Sequence, residues 1–360
     1  MPTVNDELLR AAIGHSVDLE HFNNGVIRKL IALLNKVDAD LFRQLTAALE
    51  RMPADSFTVA RLDALLGDVR TLNTAAYNSV EKQLGIDLRD LVDYESGYQY
   101  QLFQNTLPVQ VSIASVTPES VYAAAMARPF QVSKDGAVPM AEYLQGLSAD
   151  RAAKIRDAVR LGFVEGEPID AIVRRIRGTK TQNYADGLME GPRHYLEGMV
   201  RTAVNHTANF TRQRFYEANT GILKGWMFVA TLDARTSITC ASLSGKVFPI
   251  GEGPQPPRHI NCRSTSCPVT RGWKELGIDM PEFSSTRASM DGQVPDSLSF
   301  SDWLRSKPAG TQDQILGATR GKLFRDNGME VDRFTNNKGR VYTLDQLRQK
   351  DAGIFKRAGL

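Results

Sequence analysis

Cysteine is scarce in this sequence, with three in 360 residues. That excludes a disulfide-built scaffold and fits synthesis in a reducing cytoplasm. Long hydrophobic runs are missing as well. No stretch reaches the roughly eighteen apolar residues that a membrane-spanning helix needs. The opening, MPTVNDELLRAA, has no basic segment followed by an apolar core, so it does not read as a secretory signal. A soluble product of the cytoplasm is expected. Charge of one sign is also in short supply: 44 basic residues against 41 acidic ones leave a net charge of +3. A chain built mainly to bind nucleic acid usually carries a larger excess. Catalytic signatures are missing too. There is no GxxxxGK[ST] phosphate loop, no GxGxxG after a strand, and no HExxH or GxSxG.

What is present is ordinary globular composition, 42% hydrophobic and 24% charged, in a chain long enough for two domains. Up to about Asn219 the periodicity is helical. Leu30, Leu33, Leu34, Val37, Leu41, Leu45 and Leu49 recur every three or four residues and share one helix face. Pro53 ends this helix, and Asp55 or Ser56 caps a second with Leu66, Val69, Leu72 and Val80 in its apolar line. The pair reads as an antiparallel hairpin. Further helices are expected from Pro118, from a Ser148 cap, from Pro168, and from about Arg193 to Asn219. After Gly225 the alphabet changes. Trp226 to Ala230 and Lys246 to Ile250 are strand candidates. The stretch from Gly251 to Pro268 is a Gly/Pro-rich loop. Helical patterns return at 301–306, 312–324 and 344–355, with Arg333-Phe334 and Arg340–Tyr342 able to pair across Asn336 to Gly339. The fold class is α+β and predominantly α-helical: long N-terminal helices, then a small mixed C-terminal domain with few short strands.

Candidate functional residues are few. Arg201, Arg212 and Arg214, with Asn205 and Asn209, give one helix a polar side. It is either a solvated face or, together with Arg174, Arg175 and Arg177, a contact for DNA phosphates or an acidic partner. His194 and His206 stand about 120° apart on that helix and are poor co-ligands. The distinctive segment is Thr231 to Thr270, which holds every cysteine in the chain. His259-x-x-Cys262 has the spacing that brings two ligands from one turn to a tetrahedral ion, and Cys240 and Cys267 could complete a zinc site. Buried thiols that need no metal are the alternative. Asp233 and Arg235 read as a local ion pair or cap.

The ordered run Trp226, Asp233-x-Arg235-Thr236, Cys240, Leu243-x-Gly245-x-x-Phe248, Pro257-x-His259-x-x-Cys262-Arg263 resembles the phage Mu F-like minor head protein family. Stretches from Gly292 to Leu347 are similar to the downstream part of that family. The resemblance implies a head-morphogenesis domain over 148–360, with its Cys/His loop at 233–270, behind a helical region (1–147) without an assignable motif. It implies a structural virion component rather than an enzyme. Such a component is incorporated during prohead assembly near the portal and contacts portal, capsid or scaffold, with packaged double-stranded DNA a further contact. Some relatives enter the host with the genome. Two family cysteine positions are Ser237 and Ser264 here. Serine is a poor zinc ligand, which tips the sequence reading towards a loop held without metal. A metal-dependent nuclease and a zinc-ribbon nucleic-acid binder are the rival classes. The first lacks converging acids, and the second lacks a second ligand pair.

Overall fold

The computed structural model describes residues 4–51, 59–107, 111–131, 136–182, 184–272, 286–289, 292–295, 298–336 and 340–360. In chain order the helices are α1 Val4–Glu50, α2 Val59–Thr106, α3 Pro118–Ala127, α4 Met140–Val164, α5 Ile169–Arg177, α6 Glu190–Ala218 and α7 Ile238–Leu243. The C-terminal helices are α8 Phe300–Arg305, α9 Ala309–Leu316, α10 Ala318–Asn327, α11 Leu344–Lys350 and α12 Ala352–Ala358. The strands are β1 Phe130–Gln131, β2 Ala137–Val138, β3 Leu223–Val229, β4 Val247–Phe248, β5 Thr265–Thr270, β6 Thr286–Ser289 and β7 Gly292–Pro295. The protein is α+β and mostly helical, as the sequence predicts. Among the described residues no helix is long and apolar enough to cross a membrane.

Two compact units are interleaved along the chain. One comprises Met1–Leu19, Leu91–Ala125 and Asn205–Leu360, the other Glu20–Asp90 and Met126–Val204. The boundary read at residue 147 coincides with no edge of either unit. In the second unit the predicted leucine face is real: Leu41, Leu45 and Leu49 are buried with Leu66, Val69, Ile155, Val159, Ile172 and Ile176. Asp38 of α1 is buried there between Arg151 of α4 and Arg193 of α6. α1 and α2 run antiparallel in both units, with Lys29 bonded to Asp87 in one and His15 to Glu95 in the other. Pro53, Asp55 and Ser56, read as breaker and caps, lie outside the described residues.

Ser148 does not cap a helix. It sits inside α4, which begins eight residues earlier at Met140, and its Oγ and carbonyl accept from the Asn73 amide at 2.9 and 2.6 Å. A buried asparagine on α2 uses the groups a cap would have used. The expected C-terminal helices over 312–324 and 344–355 each break in two, the first at Gly317 (φ +80°) and the second at Asp351. They close a core of Phe300, Trp303, Leu316, Phe324, Phe334 and Phe355. The expected pairing of 333–334 with 340–342 is reduced to an isolated bridge between Thr335 and Val341, with the Tyr342 amide bonded to the Phe334 carbonyl at 2.9 Å, because Val331–Phe334 coils into a 3-10 turn. Asn337 to Gly339 of its turn lie outside the described residues.

The sheet that carries the site has the order β4-β3-β5, all antiparallel. Sequence reading misses β5, whose proline marks loop. Pro268 pairs opposite Trp226, and β5 is an edge strand, where a missing N–H costs no ladder bond. Gly225 is required by close approach: a Cβ there would lie 2.5 Å from the Phe248 carbonyl oxygen. Gly225→Ala is therefore expected to force β4 away and to destabilise the protein by about 2 kcal/mol, read by denaturant unfolding. An unchanged midpoint would show that β4 yields freely.

Candidate metal centre

β3 leads at Val229 into the segment that builds the site. Asp233 accepts from the Arg235 amide at 3.0 Å and from Thr236 Oγ1 at 3.2 Å, while Thr236 Oγ1 reaches the Thr231 carbonyl at 2.5 Å. This compact turn delivers the chain into α7. Ser237 is the N-cap, its Oγ accepting from the Cys240 amide at 3.3 Å. Cys240 is thereby fixed one turn into the helix, pointing inward. After α7, Gly245 takes φ +81° and donates its amide to the Phe228 carbonyl at 2.8 Å, turning the chain back into β4. Phe248 then packs its ring against Trp226 at 5.1 Å.

The long connection to β5 returns with His259 and Cys262. Asn261 adopts the left-handed conformation (φ +59°), which asparagine tolerates better than most residues. The Cys262 amide bonds back to the His259 carbonyl at 3.2 Å, closing the turn that aims both side chains the same way. Arg263 locks this turn to the first one, its guanidinium gripping Asp233 with two bonds of 2.5 and 2.8 Å. The ion pair read as Asp233–Arg235 is thus chiefly Asp233–Arg263. Arg235 is 80% exposed, and its guanidinium is 3.8 Å from the carboxylate. Burial would raise the Asp233 carboxyl, and Arg263 overcomes that to hold it below the usual range.

The result is a tight group. Cys240 Sγ lies 3.7 Å from Cys262 Sγ and 3.4 Å from His259 Nε2. One ligand-capable atom from each of these three residues lies within 4.8 Å of the others. His259 Nδ1 is 2.8 Å from the Ile260 carbonyl, which can only accept, so Nδ1 carries a proton and Nε2 faces the sulfurs. The two thiols differ. Cys262 is held well below the usual thiol range by a hydrogen bond from Cys240, against the opposing effect of burial and with help from His259. Cys240 is correspondingly raised by its bond to Cys262 and by burial. Burial disfavours the imidazolium, yet contact with Cys262 outweighs it and raises His259. Ser237 and Ser264 both stand in the group: Ser237 Oγ is 2.9 Å from His259 Nε2, and both hydroxyls reach Cys240. They also line a pocket of about 10 Å³ beside it, room for one water.

Cys267 is not among these residues. It lies on β5 opposite Met227, with Sγ bonded to the Pro268 carbonyl at 3.5 Å. Burial pushes its thiol up to about 12. Its three-residue offset from Ser264 carries it along the strand and away from the loop, so it is not part of the Cys240–His259–Cys262 group. Arg212 is corrected too. It is fully buried, with Nε 2.6 Å from Glu95 and a further bond to Thr265, and cannot meet DNA. Asn209 is likewise turned inward, accepting from the Ser266 amide at 2.9 Å, so at these two positions the polar side of α6 is buried rather than solvated. Arg214 is partly exposed and paired with Glu217. On α5, Arg175 pairs with Glu165 and Glu167, Arg177 stacks on Tyr184 at 4.9 Å, and Arg174 is exposed.

Fold and site together define a mostly helical protein whose small antiparallel sheet holds a buried Cys-His-Cys group. Residues 153–267 match the family described as Phage Mu protein F like protein, so this part of the chain is phage Mu F-like. That is a phage head-morphogenesis family. The match takes in α6 and the Cys/His loop as far as Cys267, and stops short of the stretches after Gly292. No curated protein and no solved structure matches the chain.

Proposed function

We propose that this chain is a minor structural protein of a phage head, incorporated during prohead assembly near the portal. The observation that carries the reading is the Mu F-like match spanning the helix, strand and loop that build the Cys/His group. The geometry supports a structural role for that segment. Its motif residues are consumed internally: Asp233 by Arg263, Thr236 by Thr231, Trp226 by Glu252 and Phe248. Hydrolysis would want a carboxylate beside the group, and Asp233, the acid in the motif, is already gripped by an arginine. We assign contacts to portal, capsid or scaffold proteins, and residence in the virion, on the same family basis. Arg174 and Arg177 of α5 are the arginines best placed for packaged DNA or an acidic partner, since both are exposed.

Quantitative mass spectrometry of purified particles of the phage encoding this chain tests the proposal. The chain is expected in sub-stoichiometric amounts relative to the major capsid protein, in proheads and mature particles alike. Its absence from both would overturn the reading.

A further inference from the structure

We infer that Cys240, His259 and Cys262 bind one zinc ion whose fourth coordination position is open to solvent, with Ser237 and Ser264 positioned around that position. The inference does not rest on the role in the head. Zinc with thiolate bonds of about 2.3 Å and an imidazole bond of about 2.0 Å sets tetrahedral edges of about 3.8 Å between two sulfurs and about 3.5 Å between sulfur and nitrogen. The observed separations are 3.7 and 3.4 Å. Two of the three edges of a tetrahedral face are therefore already in place, and the third ligand pair lies within 4.8 Å. The second ring nitrogen of the histidine is anchored on a backbone carbonyl, as ligating imidazoles require. Two thiolates and an imidazole in tetrahedral array favour zinc over the harder divalent ions.

No fourth cysteine or histidine joins the three among the described residues. Two serines, Ser237 and Ser264, stand in the group. A serine hydroxyl is a weak zinc ligand, but it is a good hydrogen-bond partner for a zinc-bound water. Ser237 and Ser264 line the pocket beside Cys240 and His259, and that pocket holds about one water. Three protein ligands with one exchangeable position is a standard arrangement of zinc. The pocket also bounds what can bind there: water, hydroxide or a small anion, not an organic substrate.

Cobalt substitution tests both halves of the inference on the reduced full-length chain. Zinc content of the purified protein is measured first, then the visible spectrum after exchange with Co²⁺. The expected result is a single metal ion per chain and the intense bands of tetrahedral cobalt with thiolate ligands. Added azide should shift those bands by displacing the solvent ligand. Cys267→Ala should leave the spectrum unchanged, while His259→Ala and Cys262→Ala should abolish it. Ser237→Cys should close the site, removing the azide response and tightening binding on the order of tenfold. No bound zinc together with a featureless cobalt titration would overturn the metal site. Tetrahedral cobalt that ignores azide in the unaltered protein would overturn the open position. Either outcome leaves the particle measurement untouched, so the two readings fail separately.

Discussion

Arg212→Ala should cost about 3–5 kcal/mol of stability and lower the melting temperature by on the order of 10 °C, whereas Arg214→Ala two positions away should change stability by less than about 0.5 kcal/mol. The difference is burial. Arg212 and Glu95 have side-chain exposures of 1% and 0%, and Glu95 also binds His15 at 2.6 Å and Gln99 at 2.9 Å. The cluster ties α1, α2, α6 and β5 together within one unit. Removing the guanidinium leaves a carboxylate in a dry interior with only histidine to offset it, and that is the expensive case. Replacing both Arg212 and Glu95 by leucine should cost much less than the single change, since no orphaned charge is left. The pH dependence gives a second reading. Burial works to raise Glu95, but Arg212 and His15 hold it at about 2 against an ordinary 4.5. A depressed carboxyl contributes stability that is complete above pH 4.5 and lost as the pH falls towards 2. In the Arg212→Ala protein that acid-side loss should shrink to the part that His15 sustains. If thermal unfolding of the variant kept the same acid slope, Arg212 would not be what charges Glu95.

The same arginine shows where sequence reading stops. A helix bearing Arg201, Asn205, Asn209, Arg212 and Arg214 looks solvated, because charged residues are rarely buried without a partner. The partner of Arg212 stands 117 residues earlier, and nothing local announces it. Asp233 fails in the same way. Its neighbour Arg235 is the obvious mate, yet the bidentate pairing comes from Arg263, thirty residues on. Local chemistry is legible: the leucine face of α1, Pro168 before α5, and the His259-x-x-Cys262 turn all stand as expected. The zinc-capable trio can be read because two members share a turn. Its completion cannot. Cys267 belongs to a strand hidden by Pro268, and strand geometry carries it out of the loop. Ser237 and Ser264 look like departures from a metal site, but in three dimensions they stand beside the trio, where a fourth ligand would come. The two compact units are not legible either, because α1, α2 and α6 each contribute residues to both.

Trp226→Ala should destabilise the protein by about 3–5 kcal/mol, the usual range for deleting a buried aromatic, with damage extending to the Cys/His group. The indole is fully buried on the central strand of the sheet. One face meets the Phe248 ring, and Nε1 donates to the Glu252 carbonyl at 3.0 Å. Those two contacts hold β4 and the start of the connection that ends in His259 and Cys262. Glu252 sits next to Gly253, whose φ of +85° and lack of a Cβ let the backbone close over Phe248. Deleting the indole therefore removes packing and also frees the segment that must return to the ligands. Trp226→Phe separates these effects. It keeps most of the apolar contact but cannot donate, leaving the Glu252 carbonyl without its partner at a cost of about 1–2 kcal/mol. Limited proteolysis is the informative measurement. Cleavage between Gly251 and Arg258 should rise in Trp226→Phe well before global unfolding does. Equal cleavage of the variant and the unaltered protein would mean that the Arg263–Asp233 clasp alone secures the loop, with the indole serving only as core.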